Sequence, residues 1–380
     1  MPAIGAVARE RMRRAMACEH PDRVPFMCQM SIGHMLQQLD VSPAEFWFDG
    51  AVFADGLIRL RELYDFDGIL ISLHGHDPAW RTHVRAITRT PEGEEILWKD
   101  GGKTICPADD LPLQQASVSF ADPATYVSGD LPSSLDYIPV TQGLRFRIDT
   151  SHRLSIFHNL AERTGGDFSI HGEVTSPFDY FLDLFGIQPA LSLLINGKEK
   201  AHQVLSHFAA LVGIMVGEIA ATGVDAIKVS SPFAGSGFIS PAHYREFVLP
   251  YERRLVESAR AANVFIYLHT CGAVADRLDL MMASGANGIE CLDPPPLGNM
   301  ELKAAKEQLG ARMFIKGNVD SVNTLLFGTK EEILADARSR LDTGKQGGAF
   351  IFSTACSIAP GVPPQHIHLL REAVEKWGRG

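Results

Sequence analysis

Hydrophobic positions along this chain fall into short apolar runs separated by longer stretches of helical period. The runs are Phe26–Met30, Gly68–His74, Phe168–Val174, Asp225–Ser230, Val264–Cys271, Gly288–Leu292, Met313–Asn318 and Ala349–Thr354. Runs of this length, apolar on both faces, read as strands buried in a parallel sheet. Between them the pattern predicts helices near 5–18, 57–64, 178–195, 198–222, 240–262, 274–283, 299–309, 329–343 and 363–376. Such alternation implies parallel strands joined by helical crossovers, and eight strands predict an α/β fold of the (β/α)₈ TIM-barrel kind. An open doubly wound sheet is the alternative, but no GxGxxG follows the first strand to support a dinucleotide site. From His83 to Cys106 the period changes to two, with turn signals at Thr90-Pro91-Glu92-Gly93 and Lys99-Asp100-Gly101-Gly102. This predicts an N-terminal β-hairpin insertion, read as a decoration, and the Pro- and Ser-rich residues 107–150 read as a long connection. The expected organisation is one barrel domain over 1–380, interrupted at about 83–150.

Barrel enzymes carry their chemistry at the C-terminal ends of the strands. The run Val264–Leu268 ends in His269-Thr270-Cys271-Gly272, and residues two apart on a strand share a face. An imidazole and a thiolate side by side suit Zn²⁺. Two further zinc-competent groups end strands, Glu173 after Phe168–Gly172 and Cys356 after Ala349–Ala355. Taken alone, Cys356 is equally well a packed apolar thiol. Cys18, Cys28, Cys106 and Cys291 lack metal-competent neighbours and read as structural, Cys291 because it alternates out of an apolar strand. His74, His76 and Asp77 also end a strand and are expected to line the substrate pocket, with a second metal there a lesser reading. His366 and His368 lie in the last helix and carry no expected chemistry.

Composition narrows the class. With 46% hydrophobic and 21% charged residues the chain is ordinary for a globular enzyme. The formal net charge of −10 disfavours nucleic-acid partners and anionic membrane surfaces. No run of about 18 uncharged apolar residues is present, so no membrane span is expected. Met1–Arg14 is basic without the apolar core of a secretory signal, and six cysteines without a framework fit a reducing cytoplasm. The expected location is cytoplasmic.

Several segments together resemble the uroporphyrinogen decarboxylase superfamily, and within it the cobamide-dependent methyltransferases. They are Gly223-Val224-Asp225-Ala226-Ile227, Ile239-Ser240-Pro241, Phe247-Val248-Leu249-Pro250-Tyr251, His269-Thr270-Cys271-Gly272, Lys316-Gly317-Asn318-Val319-Asp320 and Phe352-Ser353-Thr354-Ala355-Cys356-Ser357-Ile358. The decarboxylases carry Gly-His-Gly where Ala355-Cys356-Ser357 stands, and an Arg-rich segment where this chain has Met27–His34 without arginine. Such cations would be wanted by a polycarboxylate substrate, so decarboxylation is disfavoured. The resemblance implies a zinc site on His269, Cys271 and Cys356, with an acidic residue completing the shell, for which Glu173 is the candidate. It also implies methyl transfer to or from the cobalt of a corrinoid (cobalamin). No Asp-x-His-x-x-Gly element occurs in this chain, so the corrinoid is expected on a separate protein.

The expected reaction moves a methyl group from a small-molecule methyl donor to that cobalt, an aryl methyl ether being favoured because Phe and Met could build an apolar pocket. A methylcobamide:thiol methyltransferase is the second reading. A decarboxylase, and a non-catalytic corrinoid- or porphyrin-binding barrel, stand as contrasting classes. Glu173, His74 and Tyr267 are the candidate catalytic groups, with His76 a further proton-donor candidate. A homodimer is left open.

Overall fold

The computed structural model describes residues 4–114, 119–141 and 143–379. Seven strands, β1 (Gly68–Ile71), β2 (Ser169–Thr175), β3 (Ala226–Ser230), β4 (Phe265–Thr270), β5 (Gly288–Cys291), β6 (Phe314–Val319) and β7 (Phe350–Thr354), pair in parallel in chain order. The gap between β7 and β1 is filled by the segment expected as the first strand. Its Phe26 and Met30 make isolated parallel bridges to Phe352 and Ile358. Phe352 donates its N–H to Pro25 O at 2.8 Å, Met27 donates to Phe352 O at 3.1 Å, and Asp67 donates to Phe26 O at 2.8 Å. The expected strand is therefore reduced to bridges, in part because Pro25 has no N–H to give to a ladder. The barrel is closed all the same. Asp67 secures the seam: its buried carboxylate accepts the Phe26 N–H at 2.8 Å and contacts from Arg11 at 2.6 Å and Arg23 at 2.9 Å.

Helices fill the outer layer, and two of the expected long ones are broken. Pro177–Phe185 and Ile187–Asn196 meet at a 108° bend where Gly186 sits at φ +82°, a conformation that costs glycine little. Pro241–Phe247 and Leu249–Ala261 separate at Val248, and Pro250 opens the second helix, since proline starts helices but does not continue them. Short helices Ile32–Gln38, Pro43–Phe48 and Ser155–Thr164 were not expected from the pattern. Among the described residues, Lys198–Ala220 alone is a single helix long and apolar enough to cross a membrane by length and composition. Here it is a wall of the barrel, with Leu205, Phe208, Val212, Val216 and Ile219 buried in the core.

The insertion holds two sheets. Val84–Thr90, Gly93–Trp98, Lys103–Pro107 and Leu113–Gln114 form an antiparallel four-stranded sheet, the expected meander. Tyr137–Thr141 and Leu144–Arg147 form a second hairpin inside what the sequence presented as connection. Its alternation is short and interrupted by Pro139, which hides the period.

Register fixes what faces the barrel interior. Glu173 stands opposite Lys228, Lys228 opposite Tyr267, His269 opposite Glu290, and Glu290 opposite Lys316. The interior therefore carries a belt of paired charges, above a layer in which Met27, Leu70, Phe314 and Ile351 pack together.

Candidate metal centre

Three strand ends deliver a cluster of soft donors. His269 lies in β4, Cys271 one residue past it, Cys291 at the end of β5, and Cys356 two residues past β7. His269 Nε2 is 3.3 Å from Cys271 Sγ, and Cys271 Sγ is 3.8 Å from Cys356 Sγ. The ligand atoms of His269, Cys271 and Cys291 all lie within 4.8 Å of one another. A tetrahedral zinc with Zn–S of about 2.3 Å and Zn–N of about 2.05 Å separates two sulfurs by roughly 3.8 Å, and sulfur from nitrogen by roughly 3.6 Å. The His269–Cys271 and Cys271–Cys356 spacings lie near these values, and a thiol–imidazole donor set suits such an ion.

The surroundings set ring orientation and charge. His269 Nδ1 donates to Glu290 Oε2 at 2.9 Å, which leaves Nε2 facing the sulfurs. Glu290 also pairs with Lys316, and with Lys228 at 3.3 Å. Burial alone would raise the Glu290 pKa, but Lys228 and Lys316 outweigh it and hold the carboxylate well below its ordinary range. Lys228 is itself fully buried and stays cationic, burial being offset by Glu173 and Glu290. Hydrogen bonding within the thiol group divides the cysteines. Contact with Cys271 and Cys291 holds Cys356 well below the ordinary thiol value, whereas Cys271 and Cys356 hold Cys291 well above it. Cys291 Sγ lies 3.1 Å from Asp293 Oδ2, its hydrogen-bond acceptor.

The cluster opens onto a cavity of about 420 Å³ that His269, Cys271, Cys356 and Glu173 all line. Its apolar wall includes Trp47, Leu73, Leu182 and Phe233, and the second hairpin contributes Ile138 to Thr141. The segment expected as a long connection is thus part of the site's enclosure, whereas no residue of the 83–106 meander lines the cavity. Asp179 lines the cavity as well, and burial pushes its carboxyl up to about 7. One of its oxygens accepts from Ser176 Oγ, and the other, Oδ1, is buried as well.

The sequence-predicted residues divide accordingly. His269, Cys271 and Cys356 come together, and Glu173 shares their cavity with its carboxylate 3.4 Å from Lys228 Nζ. His74 and His76 are buried beside Phe157 and Phe146 respectively, outside the cavity lining, and burial pushes them to about 4 and about 3. Asp77 sits at the surface, accepting from the Ala79 N–H at 2.7 Å. Tyr267 is fully buried in the barrel interior, 3.0 Å from His171 Nδ1. Pattern reading missed Lys228, Glu290 and Lys316. The signal was present: each is a lone charge within an otherwise apolar run, and such a charge survives burial only with a partner.

Fold and site together define a parallel α/β barrel with a thiol–imidazole cluster at the C-terminal mouth of its strands. Residues 144–377 match the uroporphyrinogen decarboxylase (URO-D) family, more than half of the chain, and the chain belongs to that family. The methylcobamide:CoM methyltransferase MtbA of Methanosarcina mazei is 24% identical over 97% of this chain and 98% of its own. MtaA of Methanosarcina barkeri, another methylcobamide:CoM methyltransferase, is 26% identical over 65% of this chain and 69% of its own. The uroporphyrinogen decarboxylase of Chlorobium luteolum is 29% identical over 49% of this chain and 52% of its own. Among solved structures, a methyltransferase from Methanosarcina mazei superposes with a TM-score of 0.74 over 97% of this chain and 98% of its own, at 21% identity. The barrel and the resemblance to the methyltransferase branch are both borne out.

Proposed function

We propose that this chain is a zinc-dependent methyltransferase that moves a methyl group between a small substrate in the cavity and the cobalt of a corrinoid on a separate protein. The observation that carries the reading is the cluster of His269, Cys271 and Cys356 at the mouth of an apolar cavity, with donor spacings of 3.3 Å and 3.8 Å. These three residues would hold zinc, which when bound supplies Lewis acidity to a leaving heteroatom or lowers the pKa of a thiol.

The chain's own residues prepare that chemistry. Glu290 fixes the His269 ring through Nδ1 and is itself fixed by Lys228 and Lys316. Trp47, Leu182, Phe233 and the Ile138–Thr141 edge exclude water from the substrate. Asp179, protonated up to about pH 7, has a proton to give to a departing heteroatom, and Glu173 beside Lys228 is an ionic neighbour of the reacting centre. His74 and Tyr267 lie outside the cavity lining and receive no role.

The apolar lining favours demethylation of a methyl ether, an aryl methyl ether being the substrate class proposed. Transfer from the corrinoid to a thiol is the second reading, favoured by relatives named methylcobamide:CoM methyltransferases that match along almost the whole chain. A reducing cytoplasm is the location proposed, since six free cysteines suit that compartment.

The test is metal content per chain in native protein and in Cys356→Ala, followed by methyl transfer to reduced cobalamin from a panel of methyl ethers, and from methylcobalamin to thiols. About one zinc in the native chain, largely lost in the variant, with transfer abolished alongside it, is the expected result. Native protein without zinc under chelator-free reducing conditions would sink the reading.

A further inference from the structure

Pattern alone sends Cys291 away from the site. On β5, Glu290 is in register with His269 and Cys291 with Thr270, so regular alternation turns the Cys291 side chain from the face that carries His269. The backbone departs from that alternation at this point. Cys291 and Leu292 adopt φ of +89° and +53°, a rare state for residues with a Cβ, and the Leu292 carbonyl accepts from Asn318 Nδ2 at 2.9 Å. Left-handed geometry at non-glycine residues is strained and clusters where function requires it. The result is a fully buried thiol whose sulfur lies within 4.8 Å of His269 and Cys271 ligand atoms.

We propose that Cys291 is a fourth donor to the ion at His269, Cys271 and Cys356, and the donor that an incoming substrate displaces. The proposal rests on the zinc reading and goes beyond it by closing the resting site. Four protein donors fill a tetrahedral ion, so a substrate heteroatom enters only if one donor leaves. Cys291 is the donor with somewhere to go. Asp293 Oδ2 lies 3.1 Å from its sulfur and is pinned in place by the Gly272 N–H at 2.7 Å. When a thiol displaces it, the S–H proton of that thiol passes to Cys291 Sγ, whose new S–H bond then points to Asp293. The total charge is unchanged, and no oxidant or reductant is required. His269, Cys271 and Cys356 lack this arrangement, His269 because Glu290 holds its ring, and the two cysteines because their nearest partners are the donors themselves.

The test uses cobalt(II) in place of zinc, because thiolate-to-cobalt charge-transfer absorption grows with the number of bound thiolates. Cys291→Ser keeps the side chain's size and a hydrogen-bond donor to Asp293. Expected for native protein is the intensity of three thiolates, with Cys291→Ser binding about one cobalt at roughly two-thirds of that intensity. A small alkyl thiol is then added to both. One thiolate replacing another leaves the native band unchanged, whereas the band of the variant gains one thiolate. Equal spectra in native and variant protein, or a native band that gains a thiolate on titration, would overturn the proposal while leaving the zinc reading intact. Native protein that binds neither cobalt nor zinc would overturn both. Circular dichroism on Cys291→Ser and Cys356→Ala separates loss of a donor from loss of fold.

Discussion

Glu290 joins the candidate centre to the rest of the barrel, one carboxylate serving His269, Lys316 and Lys228 at once. Removing its charge acts in two places. The imidazole loses the acceptor that fixes its ring and raises its basicity, an outer-shell loss that typically costs 10–100-fold in metal affinity. The two lysines, both fully buried, keep Glu173 as their remaining acidic neighbour by way of Lys228. Breaking a buried pair from one side costs about 3–5 kcal/mol because the orphaned charge stays buried. Glu290→Gln is therefore expected to release zinc to a competing chelator roughly 10–100-fold more readily and to lower the thermal midpoint of the metal-free protein. Unchanged chelator competition would mean that His269 is oriented by something other than this carboxylate.

Strands and helices differ in how well they announce themselves. The seven parallel strands were legible because each is an apolar run bounded by helical period; His269 and Cys271 stood out at the end of one such run, and Cys356 was joined to them by the family resemblance. What alternation could not show lies where elements stop. The turn at Cys291–Leu292 reverses the expected direction of a side chain, and Gly186 splits what reads as one helix. The Tyr137–Arg147 hairpin was hidden for another reason: four or five residues a side, with a proline, are too few to establish a period of two. Tertiary contacts hold that hairpin over the cavity. Tyr180 donates to Tyr137 O at 2.8 Å, Arg145 pairs with the buried Asp183 at 2.7 Å, and the Arg145 guanidinium lies 4.5 Å from the Tyr137 ring centre. Arg145→Met leaves the Asp183 carboxylate buried without its cation, a loss of about 1–3 kcal/mol. Hydrogen exchange over 137–147 should then speed up by roughly 10–100-fold while the barrel strands keep their protection. Slower or uniform exchange across the chain would show that the hairpin is not anchored through Arg145.

Across the whole molecule, buried titratable groups set how stability follows pH. Burial pushes His34 and His74 to about 4, and His76 and His171 to about 3. Unfolded histidine titrates near 6.5, so the contribution of these four is fully present above about pH 6.5 and is lost as pH falls toward 4 and 3. Burial pushes Asp179 and Glu252 the other way, both to about 7. Their contribution is fully present below the unfolded carboxyl value of about 4 and is lost as pH rises through 7. Near pH 5.5 the unfolded histidines bind almost four more protons than the folded ones, and the folded carboxyls almost two more than the unfolded. The difference is close to two protons, which amounts to about 2 to 3 kcal/mol of stability lost per pH unit on acidification. Around pH 7 the two sets cancel, and above it neither changes. The thermal midpoint is therefore expected to be level from about pH 7 to 8 and to drop steeply below 6.5. Asp179→Asn removes one opposing carboxyl, so it should raise the midpoint at pH 7.5 and steepen the acid limb. His76→Leu should make that limb shallower, its ring now lying against Phe53 and Phe146 without a hydrogen-bond partner. A midpoint that falls as pH rises from 5 to 7 would reverse the balance, placing the carboxyls above the histidines in control of acid stability.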